Sequence, residues 1–190
     1  NEIYETKKKH LPNANKQLAG KIPDEVSLFF DGETTKMHKH SFVTKDILKW
    51  FYGTFDHYLK WNQTRSYKMD INSIWVNEMK AGDYNPVHVH QGRLFTGLSS
   101  VMILKLPKDF GPEIARPDQP MNGQLQILGS VAGQFVTADY SPQMKIGDFY
   151  VFPYDMRHVV YPFTNKKAQR RTLVCNCDVS YDPVNSRTAE

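Results

Sequence analysis

The sequence predicts a mainly β domain, a jelly roll with helices packed on its outside, and three observations carry that expectation. Beyond residue 70 the chain breaks into about eight short, largely apolar segments: 73–80, 87–91, 95–106, 123–128, 133–138, 147–152, 157–162 and 170–179. Turn-forming residues stand between most of them, including Gly82-Asp83, Pro107-Lys108-Asp109, Asn122-Gly123, Gly129-Ser130 and Asn165-Lys166. Ahead of them lies one amphipathic helix, and no repeat or linker divides the 190 residues. A single domain over 1–190 is expected, with its β core at about 70–180 and helical support at about 40–62.

The helix is placed at 45–61, with Thr44 as N-cap and Asp46 in the first turn. Ile47, Leu48, Phe51, Phe55, Tyr58 and Leu59 recur at helical spacing and form one apolar face for packing on a sheet. The stretch 107–122 holds four prolines and reads as a long irregular loop.

Hydrophobic residues make up 40% and charged residues 23%, an ordinary globular balance. No apolar run approaches the ~18 residues of a membrane span. The net charge of +4 comes from scattered lysines and arginines, not from the basic stripe that nucleic-acid binding requires. Asn1 to His10 is polar, with no apolar stretch behind Lys7-Lys8-Lys9, and does not read as a secretory signal. An opening on Asn1 rather than Met leaves a truncated start open. The two cysteines, Cys175 and Cys177, sit two apart on a strand, too far for an easy disulfide. They are expected as buried free thiols in a reducing compartment, and a Cys-x-Cys metal pair would lack partners.

Candidate chemistry begins at Gly82-Asp83-Tyr84-Asn85-Pro86-Val87-His88-Val89-His90. A turn delivers the chain into a strand, and alternation puts His88 and His90 on the same side of it, with a common focus. Imidazole suits iron, zinc, copper and nickel alike. A second segment, Gly147-Asp148-Phe149-Tyr150-Val151-Phe152-Pro153, leads through another turn to His158, a third ligand on a returning strand. On the last strand Arg170, Thr172, Val174 and Asn176 share a face. A guanidinium with a hydroxyl beside it suits a carboxylate, and Arg171 would then point outward. The plainer alternative leaves both arginines at the surface. His38 and His40 lie in a charged stretch and read as surface residues, and His10 and His57 have no sequence partners.

These segments together resemble a family of 2-oxoglutarate/Fe(II)-dependent oxygenases found in marine bacteria and tailed phages. His88-Val-His90-Gln-Gly-Arg-Leu-Phe-Thr-Gly97 is similar to its His-x-His-Pro-x-x-x-x-Ser-Gly signature. Gly147-Asp-Phe-Tyr-Val-Phe-Pro153, His158, Arg170-x-Thr172 and Trp75-Val-Asn77 resemble further family segments, so the likeness covers about 70–180. It implies a double-stranded β-helix holding Fe(II) between His88, His90 and His158, the catalytic residues. Arg170 and Thr172 would hold the distal carboxylate of 2-oxoglutarate, with O2 as the other co-substrate. Gln91 departs from the family's proline, and Leu98-Ser99-Ser100 replaces a Val-Tyr-Tyr stretch, so small side chains should reshape the pocket. The wider superfamily also expects a carboxylate where His90 stands, and Asp83 or Asp155 could substitute.

The implied activity is hydroxylation, with an unknown peptide or small-molecule substrate; peptidyl proline is the first expectation, and free amino acids and nucleobases also fit. Trp75, Asn77, Tyr84 and Asn85 are expected to border the substrate, although Trp75 could equally be packing. The family and the free thiols suggest the cytoplasm of a bacterium or of a phage-infected host. Two other functions stay open on the residues alone: a cupin-like metalloenzyme that does not use 2-oxoglutarate, and a non-catalytic, ligand-binding jelly roll. Neither needs Arg170.

Overall fold

Successive side chains of a strand point to opposite faces, and in the long strands each face finds a different environment. The computed structural model describes residues 1–30, 42–113, 118, 120–130, 132, 133 and 136–181. Its elements are α1 (Glu2–Lys7), β1 (Asp24–Phe30), α2 (Lys45–Trp61), β2 (Tyr67–Met79), β3 (Asn85–His88) and β4 (Gly97–Lys105). They continue with β5 (Leu125–Ile127), β6 (Ala132–Gly133), β7 (Val136–Thr137), β8 (Phe149–Pro153), β9 (His158–Val160) and β10 (Arg170–Tyr181).

The chain is mainly β. Five strands form one antiparallel sheet in the order β1-β2-β10-β4-β8, and three form a second in the order β3-β9-β5. The paired register places Glu25, Asn77, Thr172 and Ile103 side by side across β1, β2, β10 and β4. Directly opposed residues of antiparallel strands share a face, so this row looks into the space between the sheets. Beneath α2 the opposite face of the large sheet is apolar. There Ile74, Val76, Cys175 and Cys177 pack with Phe51, Phe55 and Leu59 of α2. Both cysteines are buried and free, as their spacing predicts.

Helix α2 has the expected bounds, and the Thr44 side chain caps it by accepting from the Ile47 amide at 3.3 Å. Two tight turns have the same construction. In each, a lysine amide donates to the aspartate three residues on, Lys80 to Asp83 at 2.8 Å and Lys145 to Asp148 at 2.7 Å. Gly82 and Gly147 stand between at φ +85° and +95°, the left-handed region where only glycine is unstrained.

Three expectations are corrected. β3 ends at His88, so His90 lies beyond the strand and not on it. The segment 133–138 contains only the two-residue strands β6 and β7 among its described residues. The N-terminal region holds α1 and β1, which pattern reading left undivided. His38 and His40 lie outside the described residues, as does part of the loop 107–122. No helix among the described residues is long and apolar enough to cross a membrane.

Candidate active site

Three imidazoles meet between the sheets. His88 closes β3 and is paired directly with His158, which opens β9. His90 joins them from the segment after β3, tied by its amide to the Tyr154 carbonyl at 2.9 Å. One ring nitrogen from each lies within 4.8 Å of the others, and His90 Nε2 and His158 Nε2 are 3.1 Å apart. Two lone pairs that close repel unless a cation or proton lies between them. Imidazole nitrogens at ~2.0–2.1 Å from a metal and at a right angle to each other would be separated by roughly 3 Å.

The outer nitrogens support that reading. His88 Nδ1 lies 2.7 Å from the Pro86 carbonyl and His158 Nδ1 lies 3.0 Å from the Met156 carbonyl. Each is therefore the protonated nitrogen, which leaves Nε2 as the ligand. His90 Nδ1 faces the Asn176 side-chain amide at 3.4 Å, while Asn176 Oδ1 is buried with no partner. Turning that amide about its Cβ–Cγ bond pairs Oδ1 with Nδ1–H and gives His90 the same tautomer as the other two. Burial lowers the pKa of all three rings. His158 is pushed down to about 4 by burial and by His88, and His90 lies well below its ordinary value through burial and its two neighbours. Neutral imidazoles are what a metal requires. The donor set therefore fits a divalent transition metal.

No carboxylate joins this cluster among the described residues. Asp83 is committed to the Lys80 amide, and Asp155 borders a different cavity near Tyr58 and Phe95. Neither supplies the acid that a His-x-Asp pattern would have provided.

The three histidines border a cavity of about 260 Å³, lined also by Trp75, Asn77, Asn85, Val101, Arg170, Thr172, Val174 and Asn176. The expected alternation along β10 is present. Arg170 is only 1% exposed. Its Nη1 and Nη2 approach the sulfurs of Met79 and Met144 at 3.6 and 3.5 Å, and its Nε has no partner. Thioether sulfur is a weak acceptor, so a full charge is buried without an anion. Burial accordingly pushes its pKa down to about 10, and the Tyr150 phenol offsets only part of that.

Arg171 does face the other way, but it is buried and not solvated. Helix α1 covers it, and both Glu78 and Glu5 accept from it at 2.6 Å. Tyr84 is half-exposed and is not among the residues that line the cavity, whereas Asn85 is. Trp75 both lines the cavity and packs in the core with Val101, Ile103 and Val174.

Sequence reasoning missed two features. Glu25, Leu18 and Ala19 also line the cavity, supplied by the N-terminal region. A buried network of Asn72, Tyr154 and Asp178 fastens the loop after His90, with Asp178 accepting from the Arg93 amide at 3.0 Å. The alternation of Glu25 and Ser27 with Val26 and Leu28 was the available signal for β1.

A family model described as "Putative 2OG-Fe(II) oxygenase" (2OG, 2-oxoglutarate) matches residues 73–176. Among curated proteins, no sequence matches significantly. Among solved structures, the chain is similar to a prolyl-4-hydroxylase of Pseudomonas putida at 13% identity and a TM-score of 0.52, covering 99% of this chain and 83% of that one. It is also similar to an oxidoreductase of the 2OG-Fe(II) oxygenase family from Burkholderia pseudomallei, at 16% identity and a TM-score of 0.50. That match covers 70% of this chain, which spans 57% of the Burkholderia protein. At these identities the structures speak for the fold alone, while the family model spans more than half of the chain. The chain belongs to the 2OG-Fe(II) oxygenase family, with Fe(II) and 2-oxoglutarate as its cofactors.

Proposed function

We propose that the chain is a single double-stranded β-helix domain over 1–190, acting as a 2-oxoglutarate-dependent dioxygenase that hydroxylates an amino-acid-like substrate. Peptidyl proline is one candidate within that class. The observation that carries this reading is Arg170, a buried guanidinium without an anion in the same cavity as three neutral imidazoles.

His88, His90 and His158 would hold Fe(II) through their Nε2 atoms, and the carbonyls of Pro86 and Met156 would fix two of the rings. Bound Fe(II) would supply the activation of O2, one oxygen atom of which hydroxylates an unactivated C–H bond while the other enters succinate as 2-oxoglutarate loses carbon dioxide. Arg170 would take the distal carboxylate of 2-oxoglutarate, and the buried Thr172 hydroxyl one turn of the pleat away would add a hydrogen bond. Apolar walls from Trp75, Val101, Leu125 and Val160 keep water from the reacting atoms. A site of three neutral ligands leaves the metal one unit more positive than a site with a carboxylate, which strengthens its hold on an anionic co-substrate. The buried free thiols fit a reducing compartment, and we assign the protein to the cytoplasm of a bacterium or of a phage-infected cell.

Anaerobic titration tests the reading. Fe(II) and 2-oxoglutarate together should produce a visible metal-to-ligand charge-transfer band. Iron bound without that band, in protein whose Arg170 is intact, would end it.

A further inference from the structure

The cavity has a second charge that co-substrate binding does not use. Glu25 is 1% exposed and lines the cavity from β1, the edge strand of the large sheet. Its Oε2 is buried with no hydrogen-bond partner. On the paired strand, directly opposite, stands Asn77, whose Oδ1 is also buried and without a partner. Two acceptors lie side by side, facing the same cavity, and neither has a donor.

The surrounding charges sharpen the point. Asp83 acts on Glu25 as a second negative charge. The nearby cations Lys8 and Lys80 both pair with Asp24 instead. The cavity therefore carries both signs, a guanidinium from β10 and carboxylate and amide oxygens from β1 and β2. A buried carboxylate with no partner is costly, and burial together with Asp83 raises the Glu25 pKa to about 7. That cost is removed when a cationic donor arrives.

We infer that Glu25 is a substrate-binding residue, and that the substrate presents a protonated amine to Glu25 and to Asn77 Oδ1. The inference rests on the proposed oxygenase reading and narrows its substrate class to amine-bearing amino-acid-like molecules. An internal peptidyl proline, which has no amine, falls outside it. The size of the cavity agrees. About 260 Å³ is at the small end of ligand pockets, which run to roughly 300–1,000 Å³, and it must also hold 2-oxoglutarate. Leu18 and Ala19 also line the cavity and suit an aliphatic portion of the substrate.

The test uses the protein loaded with Zn(II) and 2-oxoglutarate, with free L-amino acids and their N-acetyl counterparts as probes. Binding is read by saturation-transfer NMR, independently of turnover. At least one free amino acid should bind, and its N-acetyl form should bind about tenfold more weakly or worse, the size of a lost charge-assisted hydrogen bond. Glu25→Gln should remove that preference, and Glu25→Asp, which keeps the charge, should retain part of it. The charge-transfer band of each variant with Fe(II) and 2-oxoglutarate reports that the cavity is intact. Equal binding of amine and N-acetyl probes, binding of N-acetylated prolyl peptides alone, or no binding by any amine would each overturn the assignment. A band present with no amine preference removes this inference only, whereas a missing band removes the oxygenase reading beneath it.

Discussion

Two arginines stand next to each other on β10, both buried, and their surroundings are opposite. Arg171 looks toward α1. Its Nε donates to Glu78, its Nη2 to Glu5 and its Nη1 to Asn1, and its guanidinium lies 4.1 Å above the Tyr4 ring. Burial alone would lower its pKa, but the two carboxylates raise it. Arg170 looks into the cavity, meets two thioether sulfurs and no carboxylate, and its pKa falls. A paired buried charge holds structure together. An unpaired one costs stability unless a ligand completes it, and it therefore marks a binding site.

The largest effect should come from breaking the satisfied member. Arg171→Met would leave Glu78 buried without its cation, which costs about 3–5 kcal/mol, a large share of a domain's total stability. Denaturant unfolding of the ligand-free protein measures it. Replacing both partners, Arg171→Met with Glu78→Leu, should recover most of the loss, because no buried lone charge then remains and Glu5 is exposed. If the single variant loses no more stability than the corresponding change at Arg170, the contrast between the two residues fails.

Arg170→Met should invert that pattern. It removes an unpaired guanidinium, so ligand-free stability should hold or rise. Binding of 2-oxoglutarate should weaken by about 2–5 kcal/mol, roughly thirtyfold or more, because the co-substrate carboxylate loses its counter-charge. The charge-transfer titration measures the affinity, and unfolding measures the stability. A variant that unfolds easily but binds 2-oxoglutarate normally would assign Arg170 to structure.

Much of this contrast can be read in the sequence, and the part that cannot has a physical reason. Alternation along Arg170-Arg171-Thr172 puts the two arginines on opposite faces, and the Thr172 hydroxyl beside Arg170 favours that face for a carboxylate. The partners of Arg171 do need it, because Glu5 and Glu78 are brought there by a helix and a strand far away in the chain. The histidines divide in the same way. His88 and His158 are legible from the turns before them, since Gly82-Asp83 and Gly147-Asp148 carry their own local hydrogen bonds. His90 reaches the right place for a different reason from the one its spacing suggests: the Tyr154 carbonyl and Asn176 hold it beyond the end of β3. Glu25 was illegible because the adjacent acids of Asp24-Glu25-Val26-Ser27 resemble a surface strand until β1 is known to border a cavity.

Glu25 extends the comparison to an anion, with a smaller expected effect. Its pKa is about 7 in the folded protein, raised by burial and then by Asp83, against an ordinary value of 4.5. A raised carboxyl pKa means that the folded state holds the proton more tightly than the unfolded chain does. The group therefore costs nothing below pH 4.5, and stability is lost progressively as pH rises to about 7. At ~1.4 kcal/mol per pH unit the full cost is about 3 kcal/mol above that pH, of the same order as the cost of any partnerless buried charge. Glu25→Gln removes the ionisation and keeps the shape. The stability difference, variant minus wild type, should accordingly grow by about 2–3 kcal/mol between pH 4 and pH 8 in the ligand-free protein. Unfolding curves across that range measure it. A difference that stays flat with pH would mean that Glu25 already has a partner when the cavity is empty, and it would then belong with Arg171 among the satisfied charges.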